Sequence, residues 1–210
     1  SKKTQMNIAI LLLNQGRGSG EVAREHVRHL LKMGHKVYFL YPGNNNEIKG
    51  AENINVQLHT QIIPVHEYLP SAGDKQKQVA RMNHEEMLEY LVDYENALRK
   101  VAHDVDIFIA HHANLSCVAV HNIAKEINKP YVVFVHGTGI EPRHEELWND
   151  ANWQMIKNAI VEAEGILVTT EYVRDILVKP VIDIPDDRFL ILPCGVDLED
   201  FRPDNIEGIR

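Results

Sequence analysis

The chain has little that would place it in an oxidising or membranous setting. It carries two cysteines, Cys117 and Cys194, far apart and in no CxxC pairing, so neither a disulfide framework nor a zinc site is indicated. No apolar stretch approaches the roughly 20 residues that a bilayer-spanning helix needs, and the opening Ser1-Lys2-Lys3-Thr4-Gln5 has none of the apolar core of a signal peptide. A cytoplasmic, reducing compartment is the expectation; contact with a membrane surface is compatible with the sequence but nothing points to it. Basic charge is also short: 22 Lys and Arg stand against 30 Asp and Glu, a net charge of −8, with no basic stripe. That excludes a general nucleic-acid binder, which needs clustered cations against phosphates. Internal repeats and low-complexity segments are absent too. What remains is an ordinary globular composition in 210 residues, enough to bury a sizeable core without staples.

What is present is alternation. Asn7 to Leu13 is a short continuous apolar run, the pattern of a strand buried on both faces. Ala23, Val27, Leu30 and Leu31 recur at helical spacing, and Gly34 stands where a left-handed C-cap ends a helix. Lys36 to Tyr41 reads as a second strand, which completes a βαβ unit. Short extended pieces follow between Asn53 and Pro64, then a turn at Ser71–Asp74. Lys75 to Ala102 reads as one long helix with Met87, Leu91, Tyr94, Leu98 and Val101 on one face. Further strands are expected at Asp106–Ala110, Tyr131–Val135, Gly165–Val168 and Phe189–Leu192. Helices between them carry Ala119, Ile123 and Ile127, then Trp148, Met155, Ile156, Ala159 and Ile160, then a short piece from Glu171. The fold class is α/β, a doubly wound and mainly parallel Rossmann-like sheet spanning 1–192. Residues 193–210 break the alternation and read either as a locally packed tail or as a linker toward a second domain.

The most informative stretch is "LLLNQGRGSGEVAREH", residues 11–26. A strand runs into three glycines, Gly16, Gly18 and Gly20, and then into a helix, whose free N–H groups and dipole attract an anion. A dinucleotide fingerprint, G-x-G-x-x-G, would put its third glycine at position 21, which is Glu21, and the second strand ends Leu40-Tyr41-Pro42 without the acid that holds a ribose. A Walker loop, G-x-x-x-x-G-K-[ST], starts at neither Gly16 nor Gly18. Binding another phosphate and a purely structural turn both stay open on these residues.

Four further features stand in order along the chain. "GRGSGEVAREHVRHLLKMGHKVYFL" is a glycine loop, a helix and a Gly-His entry to the second strand. "DVDIFIAHHANLSCVAVHNIAKEINKPYVVFVHGTG" is a strand ending in His, a crossover helix and a strand ending in His-Gly. "AEGILVTTEYVRDIL" is a strand ending in Thr-Thr-Glu, and "LILPCGVDLEDFRP" is a PxGVDxxxFxP run. Together they cover most of the chain outside about 43–100. In this order they resemble the N-terminal domain of a retaining GT-B glycosyltransferase of the group 1, or family 4, type.

The resemblance implies one half of a two-domain enzyme. The first domain, here 1–192, faces the acceptor, and 193–210 is the hinge toward a C-terminal domain that holds most of a nucleotide-diphosphate sugar. It implies transfer of that sugar to an acceptor, inactivity of the isolated half, and chemistry without a metal or other cofactor. The partners it implies are therefore a nucleotide sugar, an acceptor and the chain's own second domain. Gly18 matches the glycine whose backbone approaches the donor diphosphate, with Ser19 and Gly20 beside it. Here Gly18-Ser19-Gly20 replaces the commoner adjacent glycine pair, and Ser19 is either a phosphate contact or a helix cap. His136 matches a family histidine at the sugar end of the cleft, the candidate catalytic residue; a histidine capping a strand end is the plainer alternative. A sugar-nucleotide epimerase or phosphorylase on the same fold, and a sugar- or nucleotide-binding module without chemistry, are the alternative functions.

Candidate acceptor contacts are His111, Arg143, Thr170 and Glu171, with acceptor recognition expected in loops such as 43–75 and 137–147. His111 and His112 end a strand, where adjacent residues point to opposite faces, so at most one of the two is expected to reach a ligand. Arg143 and His144 suit an acidic acceptor or plain solvation; Thr170 and Glu171 suit a helix cap or a substrate contact. Asp104-Val105-Asp106 has the spacing of the metal-binding carboxylates in the other major glycosyltransferase fold, but it precedes a strand, away from the expected cleft. No metal site is expected.

Overall fold

The computed structural model describes residues 4–16, 18–137 and 139–192; the proposed hinge, 193–210, lies outside them. The elements alternate as β1 (Asn7–Leu11), α1 (Gly18–Lys32), β2 (Lys36–Tyr41), β3 (Glu52–Asn55), β4 (Ile63–Val65), β5 (Gln76–Gln78), α2 (His84–Arg99), β6 (Ile107–His111), α3 (Leu115–Ile127), β7 (Tyr131–Val135), α4 (Glu141–His144), α5 (Asp150–Val161), β8 (Gly165–Val168) and β9 (Phe189–Ile191). A π-helical turn, Val173–Val178, precedes the last strand. Seven strands form one sheet in the order β3-β2-β1-β6-β7-β8-β9, every pairing parallel. The strands β4 and β5 pair by themselves.

The continuous apolar runs read as strands buried on both faces, and they are. Alternate residues feed two cores. Ala9, Leu11, Tyr38, Leu40, Phe108, Ala110, Val133 and Val135 pack under Met87, Leu91, Tyr94 and Leu98 of α2, Ile123 of α3 and Ile156 of α5. Ile8, Ile10, Val37, Phe39, Ile107, Ile109, Val132 and Phe134 pack under Ala23, Val27 and Leu30 of α1. Each such aliphatic side chain taken out of water contributes about 1.5–3 kcal/mol, so both faces are committed to their helices. Strand order reverses between β1 and β6, which is where a doubly wound sheet opens a crevice beyond its carboxyl ends.

Local chemistry sets the ends of the elements. Gly34 takes φ +93° just after α1, as its position in the sequence indicates, and its N–H bonds to the Leu31 carbonyl. The long helix expected over Lys75–Ala102 is shorter, and its first turns are something else. Gln76–Gln78 is strand β5 and Val79–Arg81 is a 3-10 turn. The helix begins after Asn83, whose side chain accepts from the Glu86 N–H while the Glu86 carboxylate accepts from the Asn83 N–H. This reciprocal capping box makes Asn83 a stronger start than any residue upstream. Asp106, in the acidic triplet, accepts from the Asn7 N–H at 2.7 Å; it stitches the amino ends of β1 and β6.

One bond ties α2 to the crevice: the buried Tyr94 hydroxyl donates to the Leu13 carbonyl at 2.6 Å. Tyr94→Phe leaves that carbonyl buried without its donor. A loss of about 1–3 kcal/mol is expected, read from the midpoint of urea unfolding; an unchanged midpoint would show that water replaces the hydroxyl.

Candidate active site

The crevice is built from the carboxyl ends of β1, β6 and β7. Beyond β1, the chain turns through Asn14, Gln15 and Gly16 into α1. Arg24, one and a half turns into that helix, reaches back and donates to the Gln15 side-chain oxygen at 2.6 Å and its carbonyl at 3.3 Å. The turn is thereby held against its own helix. Gly20 makes that closure possible, because a Cβ there would lie 1.9 Å from the Gln15 carbonyl oxygen. Glu21 stands where a dinucleotide fingerprint needs glycine. It pairs instead with Arg24 at 3.1 Å and Arg28 at 3.3 Å, and those guanidinium groups hold its pKa below the usual carboxylate value.

The two adjacent histidines at the end of β6 do not obey strand alternation. His112 adopts φ +78°, a left-handed conformation that costs a non-glycine residue on the order of 1–2 kcal/mol. The backbone therefore leaves the strand between them, and both rings turn toward His136. The ring centres of His111 and His112 lie 5.1 and 4.3 Å from that of His136. His111 Nδ1 lies 2.9 Å from His136 Nε2, and its Nε2 lies 3.3 Å from Nδ1 of His26 on α1. His66, in the loop after β4, packs on His112 with ring centres 3.8 Å apart. Asn114, whose side chain caps α3 through the Ser116 N–H, also places its Nδ2 2.6 Å from His66 Nδ1. Phe134 stacks on His111 and His136.

These imidazoles are held neutral. Burial, which disfavours the charged form, pushes His26 and His66 down to about 3 and His136 to about 4. It pushes His111 and His112 well below the ordinary histidine range, with neighbouring rings adding to it. His136 is the partly exposed member, whereas His111 and His112 are fully buried. Among the described residues no three His, Cys, Asp or Glu side chains are grouped to hold a metal ion.

Outside the glycine turn lies an open cleft of about 790 Å³, lined in part by Asn14, Gln15, Asn45, Asn55, Gln57 and Lys75. Amide side chains both donate and accept, which suits a ligand rich in hydroxyl groups.

The sequence profile of Glycosyltransferase Family 4 matches residues 16–200. The chain belongs to glycosyltransferase family 4. Its architecture is the Rossmann-like N-terminal domain of the GT-B fold, and solved structures show the same arrangement at low identity. Arabidopsis thaliana UGT89C1 complexed with UDP superposes with a TM-score of 0.55 at 11% identity, covering 98% of this chain and 54% of that one. CalG4, the calicheamicin glycosyltransferase, gives 0.54 at 12%, covering 90% and 53%. UDP-GlcNAc 2-epimerase from Methanocaldococcus jannaschii gives 0.53 at 14%, covering 89% and 45%. The family-4 domain thus spans about half the length of these structures. No curated protein matches the sequence. Among the described residues no helix is long and apolar enough to cross a membrane.

Within the family-4 domain, the residues singled out in the sequence fall into three groups. Gly18 and the Ser19 backbone open α1 at the crevice, although the Ser19 side chain, like that of His144, lies outside the described residues. His136 stands beside the crevice with His111 against it. His111, expected as an acceptor contact, has no exposed surface, and both its ring nitrogens face other imidazoles. Arg143 lies over the Trp153 ring at 5.3 Å, 3.9 Å from the Asp150 carboxylate. Thr170 accepts from the Val173 N–H at 3.3 Å, the capping role, and Glu171 beside it is exposed. A Cβ on Gly137 would lie 3.0 Å from Leu177, so the π-helical turn packs on the loop that follows His136.

Two residues of the cluster have no place among the sequence candidates. His26 had a signal: it shares the inward spacing of Ala23, Val27 and Leu30. His66 had none, since it sits in an irregular loop whose position depends on the rest of the fold.

The cluster predicts an acid-labile fold. An unfolded histidine titrates near 6.5, whereas burial holds His26 and His66 near 3 and His136 near 4, so unfolding takes up protons between those values. Their contribution is intact above about pH 6.5 and is lost as pH falls through that window, at up to about 1.4 kcal/mol per pH unit for each histidine. Urea midpoints measured from pH 7 to 5 should fall steeply; a flat profile would contradict burial of neutral rings. Gly20→Ala should cost about 1–3 kcal/mol through overpacking against the Gln15 carbonyl, read from thermal unfolding, and wild-type stability would show that the turn relaxes.

Proposed function

We propose that this chain is the acceptor-side half of a retaining glycosyltransferase that moves a sugar from a nucleotide-diphosphate sugar to an acceptor without a metal or other cofactor. The observation that supports the reading is that the helix opened by the Gly18 motif carries His26, which is linked through His111 to His136 of the second motif. In this reading the free N–H groups at Gly18, Ser19 and Gly20 face the donor diphosphate, and Gly18 lets it approach the backbone. His136 offers a hydrogen bond to the transferring sugar, most strongly as the oxocarbenium-like state develops. The amide-lined cleft and the region of Arg143, Thr170 and Glu171 take the acceptor. Residues 193–210 lead to a second domain that supplies the rest of the donor site, so the chain by itself is inactive.

The test uses the longer natural protein that contains this segment, offered a panel of nucleotide sugars with product analysis. Transfer with retained anomeric configuration supports the reading. Rearrangement of the donor alone would make the protein an epimerase, use of free phosphate a phosphorylase, and binding without turnover a binding module; each overturns it. In that protein His136→Ala should lower kcat on the order of 100-fold, and unchanged turnover would remove His136 from the chemistry.

A further inference from the structure

We propose that His26 and His111 are positioning residues that fix His136 in a single tautomer, with its proton on Nδ1. The consequence for catalysis rests on the function proposed above; the tautomer itself does not. Three imidazoles stand in series, His26 Nδ1 facing His111 Nε2 at 3.3 Å and His111 Nδ1 facing His136 Nε2 at 2.9 Å. A neutral imidazole has one N–H and one bare nitrogen, so a chain of three neutral rings has two polarities only.

In one polarity His136 donates inward through Nε2, His111 donates onward through its own Nε2, and His26 must carry its proton on Nε2. That atom is buried and has no hydrogen-bond partner among the described residues. In the other, His26 Nδ1 donates to His111, His111 Nδ1 donates to His136 Nε2, and the end left in the core is a bare nitrogen. Stranding an N–H donor in the core is the rarer and costlier arrangement. The second polarity therefore holds, and it gives His136 its proton on Nδ1. In the function proposed above, the Nδ1–H of this partly exposed ring is the donor offered to a hydroxyl or ether oxygen of a sugar.

The tautomer is read directly by nitrogen-15 NMR of the imidazole rings in this chain at pH 7. His136 Nε2 should resonate as an unprotonated nitrogen and Nδ1 as a protonated one. His111→Phe keeps a ring in place and removes the donor, so His136 should become a mixture of tautomers. His111→Asn, whose amide nitrogen lies as many bonds from Cβ as Nδ1 does, should restore the single form. A proton on Nε2 of wild-type His136, or a tautomer unmoved by His111→Phe, overturns the proposal. If His111→Phe does not fold, the wild-type spectrum decides alone. In the longer protein, His111→Phe should lower kcat at least tenfold with KM little changed, and His111→Asn should recover most of it. Absence of any transferase activity in the wild type would defeat the proposed function while leaving the tautomer standing on its spectrum.

Discussion

The parallel sheet with its reversal between β1 and β6 is the constraint on which the rest of the structure depends. Because every pairing in the main sheet is parallel, all carboxyl ends lie along one edge. Because the order reverses there, α1 packs on one face while α2, α3 and α5 pack on the other. The glycine turn after β1 and the histidines after β6 and β7 are left at the same gap. The registers that bring Ile10 beside Ile109 and His111 beside Phe134 then fix how far each strand projects into it.

Burying several imidazoles beside one another has a cost, and the fold meets it without charge. Ring-to-ring hydrogen bonds, the Asn114 amide and the stacking of Phe134 replace the water that the rings lose. In the proposed reaction neutrality is itself useful. A cation beside an oxocarbenium-like centre would oppose the charge that develops there, whereas a neutral imidazole supplies a hydrogen bond and no net repulsion. The strained backbone of His112 fits the same account, since it brings a second ring onto His136 that a regular strand would point to the opposite face.

Much of this was legible beforehand because it is local. The apolar runs at Lys36–Tyr41, Tyr131–Val135 and Gly165–Val168 became strands with those limits, since a strand buried on both faces needs nothing beyond its own side chains to declare itself. Gly34 likewise announced the end of α1. Periodicity alone extends α2 upstream through polar residues, while the Asn83–Glu86 capping box that starts it is a specific bond pair that periodicity does not weigh. At the site, Gly18 and His136 are candidates that motif alone supplies. Gly20 has in addition a packing reason, its approach to the Gln15 carbonyl, that no motif reveals.

By itself the sequence determined the fold class, the two-sided burial of the main strands and the match to glycosyltransferase family 4, because those follow from local polarity, turn chemistry and the order of motifs. Only the tertiary structure decided that His26, His66, His111, His112 and His136 form one group, with the His111 ring between those of His26 and His136. Those residues lie on α1, in the loop after β4 and at the ends of β6 and β7. Their meeting is set by crossovers and strand register, which are long-range and leave no spacing in the chain.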